Sequence, residues 1–342
     1  MAQTFKLFNT SDDIVPGDVQ TISQPIWSEN INPLIANGAV GFHTSSAQVT
    51  QSGDYFVDVY HRNPDTEVNA AIQFAVAYGH RLGSGSVGDP NTLGQNINDT
   101  PSRAIYSQYR NVLLPPTDTA FTFGSDTPDD IIVLNVARSR FRQKVDPGNW
   151  ELRIGSGSGI GSAASYSSFI DASNEGETPS VTEAGRVFGI YSGSGGVTSS
   201  NAVYGLFYPD LGVYVFNAHR LKTDLGMQFN SSSQVQARNH VTMSMRVSAS
   251  AYFAARSEEK VSSTHYFIRV NNREFNFSNN PTFVSGSVGM FRHASMLRNP
   301  SVYITTVGLY DNSNRLLAIA KLSRPLLKSF NREALLKVKL DW

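Results

Sequence analysis

Seven histidines, at His43, His61, His80, His219, His240, His265 and His293, are the readiest acid–base or metal-binding groups in this chain. They are scattered, with no pair at the spacing of metal ligands. The carboxylate pairs Asp129–Asp130 and Glu258–Glu259 are adjacent in sequence. On a strand, neighbours point to opposite faces, so neither makes a catalytic dyad. Gly83-Ser84-Gly85-Ser86-Val87-Gly88 fits G-x-G-x-x-G, and a dinucleotide site would need this stretch to open a helix. It runs instead into Asp89-Pro90-Asn91, which is turn chemistry. No P-loop, G-x-S-x-G or H-E-x-x-H pattern occurs. There is no cysteine, which excludes disulfides and thiolate metal sites. No catalytic, cofactor-binding or metal-binding residue is therefore assigned, and the chain is expected not to be an enzyme.

The elements that would position any site read as sheet. Charged residues are 16% of the 342, well below the roughly 25% usual in soluble proteins. The chain is rich in Gly, Tyr and Phe. The fold class expected is mainly β: two or three β-sandwich or β-barrel-like domains with long polar loops and an extended N-terminal arm. Four segments are expected: the arm at 1–40, a β-rich domain with one short helix at 41–154, a β-rich middle region with Gly/Ser loops at 155–245, and a C-terminal β domain at 246–342. Strand patterns stand out at 55–60, at 72–78 (half-buried by its alternation) and at 131–136. A helix after Thr100-Pro101 carries Ile105, Tyr109, Val112 and Leu113. Asp146-Pro147-Gly148-Asn149 reads as a chain-reversing turn. Residues 203–208 and 212–216 read as a hairpin, and 155–168 as a flexible Gly/Ser/Ala loop. In the C-terminal part, strands at 266–270, 303–310 and 316–320 are broken by the Asn-rich stretch Asn271 to Pro281.

Surface contacts are the function class left. Trp27 and Ile31 read as apolar plugs on the arm, seated either on a partner or on the arm's own domain. Arg138, Arg140 and Arg142 at period 2 would share one strand face. That row fits a contact between subunits better than a solvated face, with nucleic acid ranked last. Leu336, Val338 and Leu340 alternate with lysines on a closing strand that ends at Trp342, and such a strand can dock into a neighbour's sheet. Charge is uneven under a net of zero. Residues 1–100 hold ten acidic and three basic residues, and residues 321–342 hold six basic and two acidic ones. Ordinary surface variation accounts for such a spread, and complementary ends that meet across subunits are the sharper reading. No apolar run approaches the roughly 20 residues of a membrane helix. The first residues have no apolar h-region, so no signal peptide is expected.

Several segments carry a likeness together: Ser52 to Tyr60, Ala77 to Ser86, Ala104 to Arg110, Asp146 to Leu152, Gly205 to Gly212 and the block from Tyr266 to Ala320. The chain resembles virion structural proteins of T4-like contractile-tailed phages, especially those of marine cyanobacteria, over nearly its whole length. The resemblance implies a tail or baseplate component present in multiple copies, without cofactor, whose partners are other virion proteins, assembled in the host cytoplasm into the virion. It leaves open a neck or head-vertex position. A tail protein binding a host receptor or glycan, with Tyr204, Phe207 and Tyr208 stacking on sugars, is the other expectation.

Overall fold

The computed structural model describes residues 5–35, 40–46, 56–83, 102–156, 165–229, 239–286 and 289–342. The G-x-G-x-x-G stretch after Gly83, the Thr100-Pro101 helix start and residues 157–164 of the Gly/Ser loop lie outside the described residues. The fold is mainly β and has more than one domain. Contacts divide the chain into two compact units, one of residues 22–259 and one of residues 1–21 with 260–342. The four consecutive segments expected from the sequence are thus replaced by one unit inserted into another.

After a first strand, β1 (Ile14–Pro16), which belongs to the smaller unit, β2 (Gln20–Pro25) leads into the larger one. Next are β3 (Leu34–Ile35), β4 (Phe56–Tyr60), β5 (Ile72–His80), helix α1 (Ser102–Leu113), β6 (Asp130–Val136), β7 (Lys144–Ser156) and β8 (Ser165–Asp171). Then come β9 (Ser180–Thr182), β10 (Gly185–Ser194), β11 (Val197–Tyr208), β12 (Val213–Asn217), α2 (Ala218–Leu225), α3 (Asn239–Ser250) and β13 (Tyr252–Val261). The strands form one 12-stranded sheet in the order β2-β13-β7-β8-β10-β11-β12-β6-β5-β4, with β3 on β13 and β9 on β10.

Strand β6 is dry on both faces. Its run Ile131-Ile132-Val133-Leu134 is apolar at every position, as a strand covered on both sides must be. Ile132, Leu134 and Val136 enter a core with Phe74, Val76 and Tyr78 of β5 and Tyr214 and Phe216 of β12. Ile131 and Val133 enter a second core with Tyr106 of α1 and Val213 and Val215 of β12. The first core is internal because the sheet folds over on itself. Phe253 of β13 meets Phe74 of β5 at 5.4 Å, and Trp150 of β7 meets Tyr214 of β12 at 4.7 Å between ring centroids. The second core lies under α1, which seats directly on Gly79. A Cβ there would come within 2.8 Å of the Tyr106 amide nitrogen, so the close approach requires glycine. Strand β5 is accordingly covered on both faces, not half-buried.

Two local readings change. Asp146-Pro147-Gly148-Asn149 does not reverse the chain. It bulges out of β7, which runs on through it: Val145 pairs with Ser257 and Trp150 with Ala255 of β13. Residues 138–140 form a 3-10 turn, not a strand. The hairpin β11–β12 forms as expected, with Tyr208 opposite Val213.

The smaller unit has a three-stranded sheet in the order β1-β14-β19, where β14 is Ser263–Val270 and β19 is Ala334–Asp341. Between these lie the short pair β15 (Val284–Ser285) and β16 (Met290–Phe291), helix α4 (Ser295–Arg298), and a long two-stranded ribbon of β17 (Ser301–Tyr310) and β18 (Leu316–Ser329). Strand β18 continues through Pro325, nine residues beyond the sequence reading. A ribbon tolerates proline because each strand has an open edge that needs no N–H. Phe277, Phe283 and Phe291 pack edge to face in a small aromatic cluster beneath the Asn-rich stretch.

Candidate interaction surface

The residues singled out for contact divide sharply. Trp27 is buried at 2% exposure and lies 4.8 Å from the Phe253 ring. Its Nε1 donates to the Phe253 carbonyl at 2.7 Å. Ile31 packs partly buried on the same core. The expected arm is therefore part of the larger unit's interior from Ile22 onward, because its isolated apolar residues fill that core. The arginine row is also dispersed. Arg138 stacks on Phe141 and donates to its carbonyl at 2.6 Å. Arg140 donates to the Ser28 hydroxyl, and Arg142 reaches Glu259 at 3.5 Å. Phe207 and Tyr208 are core residues, and the Tyr204 hydroxyl is held by Asp224 at 2.9 Å, so no aromatic platform for sugars forms there.

The closing strand docks into its own chain's sheet, with Val338 opposite Tyr266 and Leu340 opposite Thr264. Val338 is buried, and Leu336 and Leu340 are half-buried. Lys337 and Lys339 face out along the open edge of β19, the first lying 5.8 Å over the Phe267 ring. Trp342 is 64% exposed and remains a candidate contact.

Three polar clusters that periodicity did not reveal bring titratable groups together. On β7 and β13, Lys144 and Glu258 are an ion pair at 2.7 Å, both nearly buried. Beside them Asp146 accepts from Ser23 at 3.1 Å and Asn149 at 2.8 Å. Burial, and then Glu258, push the Asp146 carboxyl above its ordinary range. At one end of β5 and β6, His80 lies opposite Asp130 and the Tyr78 hydroxyl reaches Asp130 at 3.4 Å. Burial raises the Asp130 carboxyl and lowers the His80 imidazole. The His80 Nδ1 accepts the Leu82 amide at 3.0 Å, so neutral His80 carries its proton on Nε2. The third is Asp171, 1% exposed, which takes the Gly148 amide at 2.9 Å, the Trp150 indole, and the Ser173 amide at 2.9 Å and hydroxyl. It ties the β7 bulge to the end of β8.

Among the described residues, Lys144, Glu258, Asp146 and Asp171 bond to neighbouring protein groups. A cavity of about 240 Å³ beside α3 is lined by Phe42, Thr44, Val59, Ser244, Met245 and Ser248 among others, none of them ionisable. Acid–base work across a cleft needs carboxylates facing a space that a substrate can enter. Among the described residues no group of three or more His, Cys, Asp or Glu could hold a metal ion.

The feature that calls for a partner is the ribbon. Val307 and Leu309 pair with Ala320 and Ala318, and these four share one face, half-buried or buried. The other face carries Leu317 at 68% and Ile319 at 58% exposure, flanked by Tyr310 and Lys321. Tyr303, nearer the base of the ribbon, is also mostly exposed. A sheet face meant for water alternates to polar residues; this one does not. The tip is fixed: Asp311 caps the amides of Ser313 and Arg315 at 2.8 Å each and pairs with the Arg315 guanidinium at 2.7 Å. No helix of the described residues is long and apolar enough to cross a membrane. No protein-family model, curated protein or solved structure matches the chain.

Proposed function

We propose that this chain is a structural subunit of a contractile-tailed phage virion, in the tail or baseplate, acting by contact and not by chemistry. The observation that carries the assembly role is the β17–β18 ribbon, whose outward face presents Leu317 and Ile319 to water. A two-stranded ribbon is marginal by itself, and apolar side chains on its free face are stabilised once a neighbour covers them. The virion setting rests on the sequence resemblance. Phe207 and Tyr208, two of the three aromatics that a glycan-binding role would use, are buried, which favours the assembly reading.

The test is proteomic and structural. Purified contractile-tailed particles from the phage that encodes this chain should contain it in multiple copies. A density map of those particles should place the ribbon against another subunit. Absence of the chain from purified, infectious particles would sink the proposal.

A further inference from the structure

We propose that the free face of the β17–β18 ribbon docks on the acidic larger unit of a second copy of this chain, so that copies associate head to tail. The inference rests on the reading of the chain as an assembly subunit and names its partner. The charge division supports it. The smaller unit holds thirteen basic and seven acidic residues, a net of +6, and the larger unit fifteen basic and twenty-one acidic, a net of −6. A chain neutral as a whole is thus a pair of opposite charges. Like units repel and unlike units attract, so self-association through unlike units is favoured over a two-fold contact between equivalent ribbons.

The two surfaces also match in kind. On the ribbon, Lys321 shares the face of the exposed Leu317 and Ile319, and Arg324 is exposed three residues further on; among the described residues neither cation has a carboxylate partner. In the larger unit the corresponding surface is the end of the β4–β5 hairpin. There Asp65, Glu67 and Val68 are exposed, and Ile72 is partly so. The neighbouring cation, Arg62, is taken by Glu29 at 2.8 Å, so it does not neutralise the patch. Asp65 is held in place by the Ser46 amide at 3.0 Å and the Ser45 hydroxyl at 3.3 Å. Basic-apolar on one unit and acidic-apolar on the other form a heterologous contact, which builds a ring or an open filament instead of a closed dimer.

The experiment is sedimentation of the purified full chain over a range of concentration, at low and at high salt. The expected result is association that passes beyond the dimer and weakens as salt screens the contact. Lys321→Glu with Arg324→Glu should weaken it by about tenfold or more, and Asp65→Lys with Glu67→Lys by a similar factor. Mixing those two double variants should restore association, since each reversed surface then meets its complement. Leu317→Ser with Ile319→Ser should abolish it at every salt concentration, with an unchanged circular dichroism spectrum. A monomer at all concentrations in low salt overturns the inference. So does a closed dimer indifferent to all four charge positions, or a monomer whose Lys321 and Arg324 instead retain a DNA duplex. A chain that remains monomeric yet is found in particles overturns this inference and leaves the virion reading standing.

Discussion

Lys328 is fully buried, and its ammonium donates to the Asn272 carbonyl at 3.0 Å, the Asn276 amide oxygen at 2.9 Å and the Ser329 carbonyl at 3.2 Å. Those partners are what order the Asn-rich stretch. Glu274 adds a second tie, taking Lys6 at 2.7 Å and the Asn271 amide at 2.9 Å. The turn-forming asparagines were legible in the sequence; the lysine 52 positions further on that satisfies Asn276 was not, because nothing local marks it. Lys328→Met should cost about 1–3 kcal/mol, since it leaves the buried Asn276 amide oxygen without its partner. Denaturant unfolding would measure the loss, and amide exchange should rise selectively over 271–281. An unchanged exchange pattern there would refute this role. Asp146 makes the opposite case. Burial and the neighbouring Glu258 raise its carboxyl, so the folded chain binds that proton more tightly than the unfolded chain does. Its contribution is then fully present below the ordinary carboxyl range and is lost as pH climbs through the raised value. Asp146→Asn keeps an acceptor for Ser23 and Asn149 while removing the charge. The variant should be at least as stable as the parent above neutral pH and flatter in its melting temperature between acid and neutral conditions. A parent more stable than the variant at alkaline pH would contradict the sign.

Elements with strong periodicity were the readable ones: β4, β5, β6, β14, β17 and the alternating Leu336, Val338 and Leu340 of β19 all lie where the sequence placed strands. Helix α3 escaped notice. Its sequence, Asn-His-Val-Thr-Met-Ser-Met-Arg-Val-Ser-Ala-Ser, has no charged face to contrast with an apolar one, and most of its residues are buried. The expected boundary between residues 245 and 246 falls inside it. The expected boundary at 154/155 likewise falls inside β7, which was misread because Pro147-Gly148 signals a turn whether the chain reverses or bulges. Gly148 makes the bulge testable. Its φ is +78°, and a Cβ there would lie 2.4 Å from Asn174 Oδ1 and 2.7 Å from Ser173 Oγ. Gly148→Ala should therefore destabilise the larger unit by about 1–3 kcal/mol. The loss should appear in thermal melts as a lower midpoint. If the bulge were a solvent-exposed turn, alanine would be tolerated and the midpoint would hold.

At the scale of the whole molecule, local pattern carries no information on the interleaving of the two units. Strand β1 pairs with β14 through Ile14 opposite Tyr266, a contact between positions some 250 residues apart. No periodicity reports that, so the first 40 residues read as one extended arm. In fact residues 1–21 belong with the C-terminal part, and the chain from Ile22 belongs with the large sheet. The connections suit an insertion. Strands β2 and β13 are neighbours, so the larger unit's chain ends leave it side by side, and Gly17 donates to the Ser263 carbonyl at 2.8 Å where the smaller unit's ends meet. A unit with its own core and adjacent ends is one that folds independently. Both cores of buried apolar residues lie wholly within residues 22–259. Residues 22–259 expressed alone should therefore give a sheet-rich circular dichroism spectrum and a single cooperative melt. The full chain should melt in two steps, one of them close to that of the isolated unit. An isolated 22–259 that lacks a cooperative transition would mean that residues 1–21 and 260–342 are required for its stability, and that the two units fold as one.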